Sequence, residues 1–358
     1  MRKLLLAMTA ALATTAMTGL AHAQMEKVKA CFIYVGPIGD FGWSYQHHQG
    51  LLAVEQALGD KVETAYLESV PEGADSERAL ERFARSGCNI IFTTSFGYMD
   101  ATNKVAGKFP DVKFEHATGY KREHPNVSTY NARFYEGRYI QGGIAATMSK
   151  AGTAGYIASF PIPEVVMGIN SFVLGAQSVN PDFKVKVVWA NTWFDPGKEA
   201  DAAKALIDQG VDIITQHTDS TAPMQVATER GIKAFGQASD MIKFGPETQL
   251  TSIIDNWAPY YIKRVQAVLD GNWEQVDVWA GMKEGEVVMA EYTNMPDDLK
   301  AKAAEIEAKI KSGEFHPFTG PITKQDGTEW LKAGEVSDDG TLLGMNFYVK
   351  GVDDQLPQ

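Results

Sequence analysis

Gly36, Gly39 and Gly42 recur every third residue in VGPIGDFGWSYQHHQG, directly after the apolar run VKACFIY. Glycines at the end of a strand can cradle a phosphate. The dinucleotide cradle, however, requires G-x-G-x-x-G, and this loop reads G-x-x-G-x-x-G. Pro37 removes a further backbone donor. The loop reads as a tight turn, and no cofactor is expected. His47 and His48 follow it. Neighbours on a helix point about 100° apart, so the two histidines do not readily share an ion. No H-E-x-x-H or His/Cys set offers further ligands, and no metal is expected. No G-x-S-x-G elbow marks a nucleophile. What remains are aromatic and acidic side chains: Phe41, Trp43, Phe96, Tyr98, Phe160, Trp193, Phe194 and Trp257, with Asp40, Asp100, Glu164, Asp195, Asp219, Asp240 and Asp255 near them. Aromatic faces stack on flat ligands. Carboxylates accept from N–H donors and repel phosphate. Together they point to a flat, N–H-rich ligand and away from a nucleotide.

The elements around these residues alternate. VKACFIYV, KVETAYLE and CNIIFTTS are strand-like, and helical segments near 44–58, 74–87 and 99–108 separate them. The rhythm restarts with TAGYIAS, FKVKVVW, VDIITQH and IKAFGQ, again with helices between. A βαβα order predicts parallel sheets covered by helices on both faces. Two such lobes of similar size are expected. LTSIID, QVDVWAG and EVVMAEY cross between them as a hinge. In open parallel sheets a ligand sits beyond the carboxyl ends of the strands. The loops to inspect there are GPIGDFGW, SFGYMD, ASFPIPE, ANTWFDPG, QHTDS, QASDM and DNW.

Residues 1–23 read as a secretory signal: basic Arg2 and Lys3, an apolar stretch from Leu4 to Leu20, and the A-x-A site Ala21-His22-Ala23. No cysteine stands at the cut for lipid attachment. The net charge is −12 for the full chain, and it becomes more negative once the signal leaves. That disfavours nucleic acid and anionic membranes as partners. Cys31 and Cys88 open two apolar runs, CFIYV and CNIIF. Placed level on neighbouring strands, they are expected to be two buried thiols. An oxidising compartment leaves a bridge open as the alternative.

The ordered set GPIGDFGW, FTTSFGYMD, GYIASFPIPEV, NTWFDPGKEADAAKALIDQGVDII and FTGPITKQDG resembles the basic membrane protein family, over nearly the whole mature chain. These are substrate-binding proteins of ABC importers related to the bacterial purine nucleoside receptor. The resemblance implies a type I periplasmic-binding-protein fold, α/β, with two doubly wound parallel-sheet lobes joined by a multi-strand hinge. The crossings near Asn131, Asp255 and Gly281 place lobe one at 24–130 plus about 255–281, and lobe two at 131–254 plus about 282–358. By the same resemblance Asp40 faces the base, and Trp193, or else Phe194, stacks on it; where the family continues Phe-Asn this chain reads Phe41-Gly42-Trp43, and Trp43 is expected to cover the other face. The family's G-x-D-x-D reads Gly236-Gln237-Ala238-Ser239-Asp240 here. Ala238 stands where a ribose-binding aspartate is expected, which tilts the ligand toward a free nucleobase.

The resulting expectation is a monomeric periplasmic receptor, without cofactor or metal and not an enzyme, that closes over a purine and delivers it to an inner-membrane permease. Its ligand-binding residues are expected to be Asp40, Phe41, Trp43, Phe96, Gly97 and Tyr98 from lobe one, with Trp257 beside the hinge. Lobe two is expected to add Glu164, Trp193, Phe194, His217, Asp219 and Asp240. The alternatives are a nucleoside receptor, a sugar receptor of the same fold class, and a periplasmic nucleoside hydrolase.

Overall fold

The computed structural model describes residues 24–357, so the signal expected at 1–23 lies outside the described residues. Five strands open the chain: β1 Val28–Tyr34, β2 Val62–Leu67, β3 Ile90–Thr94, β4 Lys113–Ala117 and β5 Val127–Ala132. Five more follow: β6 Thr153–Ala158, β7 Lys184–Trp189, β8 Ile213–Gln216, β9 Lys233–Gly236 and β10 Gln249–Asp255. Strand β11, Asp277–Ala280, then returns to the first sheet, and β12, Val287–Met289, returns to the second. The first sheet runs β11-β5-β4-β3-β1-β2, with every pairing parallel. The second runs β12-β10-β9-β8-β6-β7 and is parallel except for the antiparallel β10–β12 edge. A small antiparallel pair, β13 Ile322–Thr323 and β14 Glu329–Leu331, follows.

Residue pattern explains the layering. Every residue of β3 is buried, as helices on both faces of a parallel sheet require. The helices are α1 Trp43–Leu58, α2 Ala74–Arg85, α3 Met99–Lys108, α4 Tyr135–Met148, α5 Pro163–Gln177, α6 Pro196–Asp208, α7 Ala222–Glu229, α8 Ala258–Leu269, α9 Asp297–Ser312 and α10 Asp339–Leu343. In α2, Ala79, Leu80, Phe83 and Ala84 form the buried stripe; Asp75 and Glu77 sit in the first turn, Arg82 and Arg85 in the last. That charge order complements the helix dipole. Helix α5 is apolar nearly all round, because α4 covers one side of it. A Cβ on Gly142 would lie 2.8 Å from the Ala176 nitrogen, and one on Gly175 would lie 2.8 Å from the Tyr139 carbonyl carbon. Only glycine lets these two backbones approach so closely. The last residues run beside β7, where the Val187 N–H donates to Asp354 at 2.6 Å and Val352 bridges Val185. This covers a sheet edge that would otherwise be bare.

The chain passes between the sheets three times: from β5 to α4, from β10 to α8, and from β11 to β12. Glu136, at the start of α4, accepts the Met282 N–H at 2.6 Å and ties the first crossing to the third. Burial raises its carboxyl to about 7.

The cysteines correct the sequence reading. Cys31 and Cys88 form a disulfide with their Cα atoms 6.0 Å apart. Cys88 does not lie on β3; it sits in the turn between α2 and that strand. The residue level with Cys31 on β3 is Ile91. Freed from the strand's register, the turn carries Cys88 across to Cys31. Among the described residues no helix is long and apolar enough to cross a membrane.

Candidate functional site

The carboxyl ends of both sheets face each other, and their loops meet. Gly42, in the loop after β1, packs on the backbone of Asp219, in the loop after β8. A Cβ on Gly42 would stand 2.8 Å from the Asp219 Cα and closer still to its carbonyl oxygen. Beside this contact, the Ser239 hydroxyl donates to the Phe41 carbonyl. The Lys243 ammonium stands 3.5 Å from the centre of the Phe41 ring. The glycine loop therefore seats one lobe against the other. Gly42 thus admits the opposite lobe, and Phe41, expected among the ligand contacts, belongs to the seam.

Behind the seam lies a narrow cavity that leaves about 20 Å³ accessible to the centre of a water. Lobe one lines it with Val35, Trp43, Ser95, Phe96 and Thr118; lobe two with Glu164, Trp193, His217, Asp219 and Gln237. Six of the expected residues thus converge: Trp43, Phe96, Glu164, Trp193, His217 and Asp219. Each indole is anchored. The Trp43 Nε1–H donates to the Thr94 carbonyl at 2.6 Å, and its ring stands edge-on to Trp257 with centroids 5.5 Å apart. Trp193 leans on Phe160, 5.1 Å away, and its carbonyl accepts the Asp219 N–H at 3.0 Å.

The polar wall is rich in acceptors. His217 Nε2 lies 3.3 Å from Glu164 Oε1. Burial, outweighing the Glu164 contact, lowers the imidazole pKa, so the neutral ring donates Nε2–H to Glu164. Among the described residues the second Glu164 oxygen, Oε2, has no partner, and neither does Asp219 Oδ2. Burial first, then the neighbouring Asp40, Glu199 and Asp255, pushes the Asp219 carboxyl well above the usual range; the Trp43 N–H acts in the other direction.

Other expected residues lie elsewhere, for physical reasons. Asp40 accepts the N–H groups of Gly42 at 2.8 Å, Ser44 at 3.0 Å and Tyr45 at 2.9 Å. It satisfies the orphan donors at the start of α1 and does not border the cavity. Burial raises it to about 6 against those three bonds. Gly97 donates its N–H to Glu72 at 3.1 Å. Tyr98 is buried beneath the sheet end, its hydroxyl on the Val70 carbonyl at 2.6 Å. Phe194 lines a neighbouring surface pocket with Pro37 and Asn191. Asp240 caps the turn at Ile242 at 3.0 Å and accepts from Gln249 at 2.7 Å. Trp257 is 1 % exposed. It stacks on His47, 4.7 Å away, and supports Trp43 from behind. His47 itself is fully buried, with Nδ1 2.6 Å from the Tyr261 hydroxyl. Ala238 is buried with φ of 60° and does not border the cavity. Its neighbour Gln237 does.

Sequence reasoning missed Gln237 and the group beneath it. Arg138, on α4, is fully buried. It donates to Thr215 at 3.0 Å, to Gln141 at 3.2 Å and to the Gln237 side-chain oxygen. An arginine inside the helix EGRYIQGG was the available signal, since arginine is rarely buried without partners.

A cavity closed between two parallel-sheet lobes, with three chain crossings behind it, defines a solute-binding receptor of the type I periplasmic-binding class. The chain belongs to the Bmp family, described as ABC transporter substrate-binding protein PnrA-like, whose model matches residues 27–316. The family resemblance read from the sequence is borne out. The chain is 73 % identical over 340 residues to a purine-binding protein of Brucella abortus (strain 2308), covering 95 % of this chain and 97 % of that one. It is 38 % identical to a Haloferax volcanii protein whose name assigns it glucose binding for an ABC transporter, covering 93 % of this chain and 82 % of the other. An ABC-transporter solute-binding protein structure from Aeropyrum pernix K1 superposes with a TM-score of 0.71 at 21 % identity, over 88 % of this chain and 95 % of its own. The protein is thus a binding receptor of an ABC transporter and not an enzyme; its partners are a small molecule and a membrane permease.

Proposed function

We propose that this receptor binds a purine in the periplasm and hands it to an inner-membrane permease, with a free nucleobase preferred over its nucleoside. The observation that carries the reading is the cavity. It places Trp43 and Trp193 beside two carboxyl oxygens, on Glu164 and Asp219, that have no partner among the described residues. A planar bicyclic ring suits the two indoles, and its N–H groups suit the acceptors. The relative named as purine-binding supports the ligand class, and the A-x-A site at 21–23 supports export. With Ala238 off the cavity wall, the narrowness of the closed cleft is what favours the smaller base over its nucleoside.

A second reading, a nucleoside receptor, is favoured by one feature. At Phe96, Thr118 and Glu164 the cavity adjoins a larger, solvent-open space of about 1710 Å³ that holds Asn131, Arg133 and Trp279. A sugar attached to the base has room there. Calorimetric titration of ligand-stripped protein separates the two. Adenine, guanine or hypoxanthine binding more tightly than adenosine and inosine supports the proposal, and the reverse order supports the second reading. Glucose binding with no purine binding overturns both. Mass spectrometry of the ligand released on denaturation gives an independent answer.

A further inference from the structure

Gln237 carries a fixed orientation into the cavity. Arginine has only donors, so the side-chain atom of Gln237 that meets Arg138 is the oxygen. The amide nitrogen must point the other way. Gln237 borders the cavity, and among the described residues its Nε2 donates to no protein acceptor. Arg138 is itself held, by Thr215 and Gln141 and by the Tyr156 ring 5.3 Å from its guanidinium carbon. The amide therefore cannot flip without stranding a buried guanidinium. Beside the carboxyl oxygens of Glu164 and Asp219, the wall thus carries an amide N–H donor held in one orientation.

Resting on the purine reading above, we propose that Gln237 is a specificity-determining residue that donates an N–H to an unprotonated ring nitrogen of the ligand, with Arg138 as its positioning residue. Glu164 Oε2 and Asp219 Oδ2 accept from N–H groups on the same ring system. The ligand class is a nitrogen heteroaromatic that shows a lone pair on one edge and N–H donors on others. A site built to donate to a ligand atom rejects an analogue lacking that atom, because the buried donor is left unpaired.

The test titrates stripped protein with adenine and with the three analogues in which one of its ring-nitrogen acceptors is replaced by C–H. One analogue is expected to bind wild type about tenfold more weakly than adenine. In Gln237→Leu that discrimination disappears: adenine falls to the level of the analogue, while ratios for the other two analogues are unchanged. Gln237→Glu keeps Arg138 paired and the volume constant but turns the donor into an acceptor. It is expected to lose tenfold or more for adenine and less for the discriminating analogue. The proposal is overturned if wild type binds all three analogues as tightly as adenine, or if Gln237→Leu keeps the wild-type discrimination. Wild type that binds no purine at all overturns the underlying functional reading instead, and adenine alone reveals it.

Discussion

Gly42 and Asp219 meet backbone to backbone across the two lobes, with no space for a side chain between them. Closure of the cleft thus depends on a residue that touches no ligand. Gly42→Ala is expected to weaken purine binding by about 1–3 kcal/mol, the usual effect of forcing a methyl group into a packed contact. Melting of the unliganded protein should change little, because the open form relieves the clash. Small-angle scattering checks the cause. Wild type should shrink on adding purine and the variant should shrink less. Equal compaction in both would refute this role.

The two indoles differ in what stands behind them. Trp193→Ala removes a half-buried ring leaning on Phe160. It should lower affinity by about 1–3 kcal/mol if stacking is comparable to base stacking in single-strand binders, with a small effect on melting. Trp43 also packs on Trp257 and His47 and bonds to Thr94. Trp43→Ala should therefore lower both affinity and stability. Titration and thermal unfolding on both variants separate the roles, and unchanged affinity in both would dismiss the stacking pair.

Asp40 makes stability depend on pH with a definite sign. Its carboxyl is raised from 3.8 to about 6 by burial, against its three backbone bonds. Folding therefore takes up a proton between those values. The stability contributed by protonation is full below about pH 4 and is lost as the pH rises through 6. Two units correspond to about 3 kcal/mol. In Asp40→Asn this slope is absent, although the amide, with one acceptor oxygen for three N–H donors, lowers stability by a pH-independent amount. Urea unfolding from pH 4 to pH 7 should show wild type losing its advantage over the variant; a constant gap would contradict this.

Cys31 and Cys88 close a loop across 57 residues. By chain entropy a loop of that length is worth about 4 kcal/mol. The Cys31→Ser, Cys88→Ser double variant, or wild type under reductant, should lose stability of that order. Ligand affinity should hold at temperatures where the fold survives, since neither cysteine borders the cavity. Denaturant titration with and without reductant measures the difference.

The layer architecture was legible because buried parallel strands read as continuous apolar runs and the helices between them carry their own stops. The α3 segment 99–108 coincides with Met99–Lys108. The cleft was legible as a region, since strand-end loops must face it. Roles within those loops were less so. Asp40 and Asp240 look alike as acidic loop residues, and both are caps here; charge type does not separate a cap from a contact. Tyr98 and Trp257 are aromatic and near the cleft, yet they lie beneath it. In QASDM the carboxylate drew attention, while the residue bordering the cavity is the uncharged glutamine two positions before Ser239. The bridge was missed because Cys88 was placed on a strand and not in the turn before it.

Neither lobe is a continuous stretch of chain. The first sheet begins with Val28 and is not complete until Ala280; the second begins with Thr153 and ends with Met289. Domains commonly fold in turn as synthesis delivers them, the N-terminal one first. Here that order is denied. Until strands near residue 280 emerge, the nascent polypeptide consists of two sheets each lacking an edge, so cellular machinery handling it meets two unfinished halves. Both become whole only with the short stretch of chain from Asp277 to Met289.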